Sequence, residues 1–171
     1  QMAFGPGTDP EPEPAAAGDL GCHGRAGKAP HLAVEILQEL HKTDKRYKLF
    51  IKGRRPEEVD WLWKRPEEQE YYNRFYASIQ SYGSQDHVVE EAQGSDVPEW
   101  FRHIGFVISP SEFESFHMAI AEGMASRAIP IIRNWKGSEA LFPTRYSFSN
   151  VQEAVALILK YTAEDQFVAE G

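Results

Sequence analysis

Residues 106–132 narrow the possible folds of this 171-residue chain more than any other stretch. Phe106 to Ile108 form a short apolar run, Ser109 to Ser111 interrupt it, Phe116 to Ser126 carry helical spacing, and Ile129 to Ile132 restart a β-rich run. Strand, loop, helix and strand in so short a span read as one unit of a parallel sheet with a right-handed crossover. Two carboxylates ride on that unit, Glu114 just before the helix and Glu122 within it. At about 1.5 Å of rise per residue the eight positions between them span on the order of 12 Å, with the helix amino end in between.

The first amides of a helix lack intrahelical partners and carry the positive end of its dipole, so the backbone around Phe116 and His117 suits a pyrophosphate. Carboxylates are poor phosphate ligands and good acceptors for vicinal hydroxyls, so Glu114 suits sugar hydroxyls and Glu122 a ribose diol. Spacing alone leaves two glutamates as ordinary solvent-facing charges in most helices. Glu122, however, lies among Ala119, Ile120, Ala121, Met124 and Ala125, where an unpaired carboxylate is costly, so a polar partner or a ligand is expected for it.

With these residues in place, the chain resembles a known family. Glu114 and Glu122 match the E-x-x-x-x-x-x-x-E signature of retaining glycosyltransferases with the GT-B fold. Pro110, Ser111, Phe116, Met124, Ala125, Pro130 and Ile132 fall on residues that usually surround it. The chain departs at His117, where the family usually has Gly or Pro, and at Arg127, where it usually has Gly. His117 is either a helix-start residue or one that crowds the donor phosphate or adds a hydrogen bond to it.

Other segments resemble the same family. Gly24-Arg-Ala-Gly-Lys28 looks like the segment whose Arg and Lys bind the donor diphosphate, which makes Arg25 and Lys28 candidates, although the spacing is shorter than usual. Lys48 to Gly53 resembles the next strand with its terminal glycine, and Val97 to Gly105 the short helix before the signature. Asn134-Trp-Lys-Gly-Ser-Glu139 resembles the donor-side loop, with Gly137 and Glu139 at matching positions. The resemblance covers roughly residues 22–160.

It implies a single α/β Rossmann-like domain, a parallel sheet with helices on both faces, forming one half of a GT-B fold. The activity it implies is retaining, metal-independent transfer of a hexosyl group from a nucleotide-sugar to an acceptor that the sequence does not name. Glu114, Arg25 and Lys28 would act at the reacting centre, and Glu122, Ser115, Phe116, His117, Gly53, Gly137 and Glu139 would bind the donor. No cofactor and no metal are expected, the nucleoside-diphosphate sugar being a substrate. The expected partner is a missing N-terminal acceptor-binding domain. Two other readings stay open, a nucleotide-sugar epimerase of the same fold and a noncatalytic Rossmann-like interaction domain.

Composition bounds the rest. Residues 1–21, rich in Pro, Gly and acid, are expected to be disordered or an appended remnant, leaving 22–171 as one nucleotide-sugar-binding domain. No stretch is long and apolar enough to span a bilayer, and the opening residues lack the basic and apolar regions of a signal peptide, which together point to the cytoplasm. Cys22 is the sole cysteine, so no intrachain disulfide forms. A net charge of −8 without a long basic run argues against nucleic acid. Lys52, Arg54 and Arg55 beside Gly53 make a local basic spot, either a solvated turn or a phosphate contact; nothing selects a membrane surface. There is no D-x-D, no P-loop, no G-x-G-x-x-G, no G-x-S-x-G and no paired-His metal motif.

Elsewhere the pattern predicts a helix over Pro30 to His41, a strand over Tyr47 to Lys52 and a helix over Glu70 to Tyr82 with an aromatic core stripe. A short strand at His87 to Val89 and a helix at Val97 to Arg102 follow, and Asn150 with Glu153 forms a capping box that opens a last helix. Trp61 and Trp63 either pack the charged segment 54–70 or line an acceptor cleft.

Overall fold

The computed structural model describes residues 2–5, 28–114 and 116–170. The strands are β1 (Met2–Gly5), β2 (Lys48–Lys52), β3 (Val88–Glu91), β4 (Phe106–Ser109), β5 (Ile129–Arg133) and β6 (Ser147–Phe148). The helices are α1 (Pro30–Leu40), α2 (Asp60–Trp63), α3 (Pro66–Ser81), α4 (Val97–Phe101), α5 (Met118–Ala125), α6 (Ser138–Leu141) and α7 (Val151–Glu170).

One six-stranded sheet has the order β3-β2-β1-β4-β5-β6. Alternation along the strands sends successive side chains to opposite faces, and each face has its own core. Phe106, Ile108 and Ile131 pack with Ala33, Ile36, Leu37 and Leu40 of α1, with Tyr72, Phe75 and Ile79 of α3, and with Ala154 and Ile158 of α7. Val107 and Ile132 point the other way, onto Trp100 and Phe101 of α4 and Ile120 of α5. Helices therefore cover both faces, as expected of a Rossmann-like domain.

Two expectations are corrected. Residues 2–5 are not outside the fold: Met2–Gly5 fills the middle of the sheet, with Ala3 opposite both Phe50 and Val107. The sheet is also not wholly parallel. β1 runs antiparallel to both neighbours, while β2 pairs β3, β4 pairs β5 and β5 pairs β6 in parallel. A four-residue strand is too short for its alternation to stand out beside a Pro- and Gly-rich run.

Helix boundaries hold with local shifts. α3 starts at Pro66 rather than Glu70, because proline at the first helical position with Glu67 and Glu68 behind it is a good helix start that reads only as charge. In the short α2, Trp63 packs partly on the core, while Trp61 is exposed beneath the Arg65 guanidinium at 5.6 Å. Asn150 caps the last helix, Glu153 N–H donating to its Oδ1 at 2.9 Å, but the expected reciprocal bond is shifted: the Glu153 carboxylate accepts from Ser149 N–H at 2.7 Å and from the Asn150 side-chain amide at 2.8 Å.

α5 ends in a Schellman motif. Ala128 N–H reaches Gly123 O at 2.9 Å and Arg127 N–H reaches Met124 O at 3.0 Å, with Arg127 at φ 73°. The left-handed conformation accounts for the glycine usual at this position in the resembling family, and here arginine carries the strain.

Candidate functional site

β2, β3, β4 and β5 all end on the same edge of the sheet. The strand order reverses between β1 and β4, with α1 packed on one face and α5 on the other, which is the position at which doubly wound sheets hold ligands. Lys28, just ahead of α1, meets there the loop that carries β4 into α5.

Lys28 Nζ donates to Glu114 Oε1 at 2.8 Å, and the two side chains are only 13% and 7% exposed. His117 Nε2 stands 3.8 Å from the same oxygen. Burial pushes the Glu114 carboxyl up, but the Lys28 hydrogen bond, the charges around it and the buried Ser111 hydroxyl outweigh it, so its pKa lies below the usual value. Burial pulls the His117 imidazole down to about 4, against the Glu114 charge, so the ring is neutral near pH 7. Its Nδ1 is buried with no hydrogen-bond partner among the described residues. The cluster thus holds one buried anion, one cation and one neutral imidazole.

α5 starts at Met118, two residues later than the pattern predicts, with His117 as N-cap and no side-chain cap. Met118 N–H already bonds Phe116 O at 3.0 Å and Ile120 N–H bonds His117 O at 3.1 Å. The helix start therefore offers fewer open donors than an ideal first turn. Phe113, Phe116 and Met118 are exposed around it.

Glu122 departs from expectation. It is exposed, so no desolvation cost demands a ligand for it. Ile120 and Gly123 are the buried residues of α5, and the methionines that make the surroundings look apolar, Met118 and Met124, lie outside. Spacing keeps Glu122 a candidate; burial does not.

The other candidates are dispersed. Gly137 opens α6 at φ 102°, and its N–H donates to Glu139 Oε2 at 3.1 Å, so these two satisfy each other. Gly53 N–H pairs with Glu91 O at 2.9 Å. The expected basic spot is largely neutralised: Lys52 is buried and paired with Asp96 and, at 3.6 Å, Glu91, while Arg55 faces Glu90 at 3.8 Å. Arg25 and Ser115 lie outside the described residues.

Sequence reasoning misses two features of the loop. Ser111 supports Glu114 directly, and its only signal is its place beside a proline in the motif. Arg133, the charge that ends the apolar run 129–132, bonds Glu112 Oε1 at 3.1 Å and Pro110 O at 3.4 Å, tying β5 to the Glu114 loop.

The family model described as glycosyl transferases group 1 matches residues 23–145. No curated protein matches the sequence. Among solved structures the fold is similar to that of a S. aureus TarM mutant in complex with fondaparinux, alpha-GlcNAc-glycerol and UDP, with a TM-score of 0.59 and 14% identity. The match covers 78% of this chain and 26% of that one. At that identity the likeness speaks for the fold.

Proposed function

The chain belongs to the group 1 glycosyl transferases, and from that premise we propose that it is the donor-binding part of a retaining, metal-independent glycosyltransferase that takes a hexosyl group from a nucleotide-sugar. The observation that carries the reading is the Lys28–Glu114 pair, buried at the switch point of the sheet beside the start of α5. Its chemistry is split as such a donor requires. An ammonium and nearby helix amides match the charge that develops on a leaving diphosphate, and a carboxylate held ionised accepts sugar hydroxyls. His117, neutral near pH 7 in the ligand-free protein, stands beside the pair. The UDP held by the structurally similar TarM mutant supports a nucleoside diphosphate as ligand. On this reading the expected partner is an N-terminal acceptor-binding domain.

Calorimetric titration with UDP, GDP, ADP and their hexose conjugates tests this. Selective binding of one base is expected. A charged hydrogen bond is worth about 1.5–3 kcal/mol, so Glu114→Gln should weaken the hexose conjugate roughly 10- to 150-fold and the bare diphosphate much less. Glu122→Ala should weaken both forms alike if that residue holds the ribose. Failure of every nucleotide to bind would sink the reading and leave a noncatalytic interaction domain.

A further inference from the structure

His117 has no counterpart in the glycine or proline usual at its position, and the Lys28–Glu114 pair leaves it a task. We propose that docking of the donor diphosphate draws Lys28 away from Glu114 and that His117 takes up a proton to replace it as the partner of Glu114. The inference rests on the donor-binding reading above.

Lys28 has one ammonium, and it is committed to Glu114 Oε1 at 2.8 Å. A diphosphate at the start of α5 brings two negative charges that compete for it. Once Lys28 turns to the phosphate, the Glu114 carboxylate, 7% exposed, keeps the Ser111 hydroxyl and loses its cation. An unpaired charge so deeply buried is strongly disfavoured. Among the described residues, the other basic group within 4 Å of the carboxylate is the imidazole, whose Nε2 is 3.8 Å away.

The charges around His117 explain why the step waits for ligand. In the free protein, among the described residues, burial and the Lys28 charge oppose protonation, and the Glu114 charge favours it. The positive end of α5, where His117 is the N-cap, opposes it too. An arriving diphosphate reverses that balance by engaging Lys28 and adding negative charge. With Nε2–H turned to Glu114, the proton from solvent lands on Nδ1, which has no partner among the described residues. A phosphate oxygen at the helix start supplies the acceptor it lacks.

The test is calorimetry of the whole chain with the hexose conjugates of UDP, GDP and ADP. Their diphosphate is esterified at both ends, so it exchanges no proton across the neutral range. Titrations are run in buffers of low and high ionisation enthalpy and repeated from mildly acidic to mildly alkaline pH. The expected result is a binding heat that depends on the buffer in the sense of proton uptake, with affinity rising as pH falls, up to about tenfold per unit for one proton. His117→Gln should bind with a buffer-independent heat and a flat pH profile. NMR titration of the His117 ring in the wild-type chain gives a second readout, its midpoint moving up when ligand is bound. Binding without uptake, or equal uptake in His117→Gln, overturns the exchange of partners while leaving the donor-binding reading intact. Binding of none of the three conjugates at any pH removes both.

Discussion

Replacing Gly123 with alanine tests how α5 is seated on the sheet, and through it where the start of that helix lies relative to Glu114. A Cβ at Gly123 would stand 2.6 Å from Cγ1 and 2.9 Å from Cβ of Val107 on β4, and 3.1 Å from a ring carbon of Phe101 on α4. Favourable carbon contacts begin near 3.5 Å. Val107 cannot retreat easily, since branching restricts its rotamers and β4 is paired with β1 on one side and β5 on the other. Overpacking of this kind costs about 1–3 kcal/mol, and contacts to backbone-anchored atoms belong at the upper end. Alanine regains roughly 1 kcal/mol over glycine inside a helix. The net expectation is a loss of about 2 kcal/mol, or about 4–8 °C in Tm for a domain of this size. Urea unfolding followed by circular dichroism measures it. Val107→Ala makes room, so in a double-mutant cycle its cost in the Gly123→Ala background should be lower than in the wild type by about 1 kcal/mol or more. A Gly123→Ala protein as stable as the wild type, with no coupling in the cycle, would refute the close approach of α5 to β4.

Two further predictions concern stability. His117 has a folded pKa of about 4 against 6.5 for an unperturbed histidine, so the unfolded chain binds its proton first; stability is full above about pH 6.5 and falls as pH drops towards 4. At 1.36 kcal/mol per unit this amounts to about 3 kcal/mol, and the lowered pKa of Glu114 adds a further loss below its ordinary value of 4.5. Urea midpoints from pH 7 to 4.5 should fall steeply for the wild type and less for His117→Gln; parallel profiles would show that His117 is not the group responsible. Arg127→Gly should stabilise the fold by about 0.5–1 kcal/mol, because relief of the left-handed strain, about 1–2 kcal/mol, exceeds the extra entropy glycine gives the unfolded chain. Thermal unfolding checks it, and a lower Tm in the glycine variant would contradict the strain.

Much of the sheet and of the central cluster is legible in the sequence, because the signals for them are local. β4, α5 and β5 follow from periods of two and 3.6 within a single stretch, and Glu114 and Lys28 come from segments that each match a recognisable pattern. What escapes depends on position in three dimensions. Glu122 reads as buried from the apolar character of its neighbours, yet composition does not say which side of a helix faces the sheet. Its adjacent residue Gly123, about 100° further round the helix, takes that place. Lys52 looks like an available cation, and only the fold shows that Asp96, from the start of α4, occupies it. β1 carries no alternation long enough to be noticed, and its place is decided by the vacancy between β2 and β4.

That placement gives four residues a role out of proportion to their number. β2 and β4 do not pair with one another: among the described residues, the strand pairing that joins the β2–β3 ladder to the β4–β5–β6 ladder passes through Met2–Gly5. The sheet is thus two ribbons spliced by one short antiparallel strand, and the splice pairs directly with β4, whose following loop carries Glu114 to Lys28. Any opening of the splice exposes two unpaired edges inside the domain and loosens the candidate site in the same event, so the integrity of the sheet and the closeness of the site residues are one cooperative property.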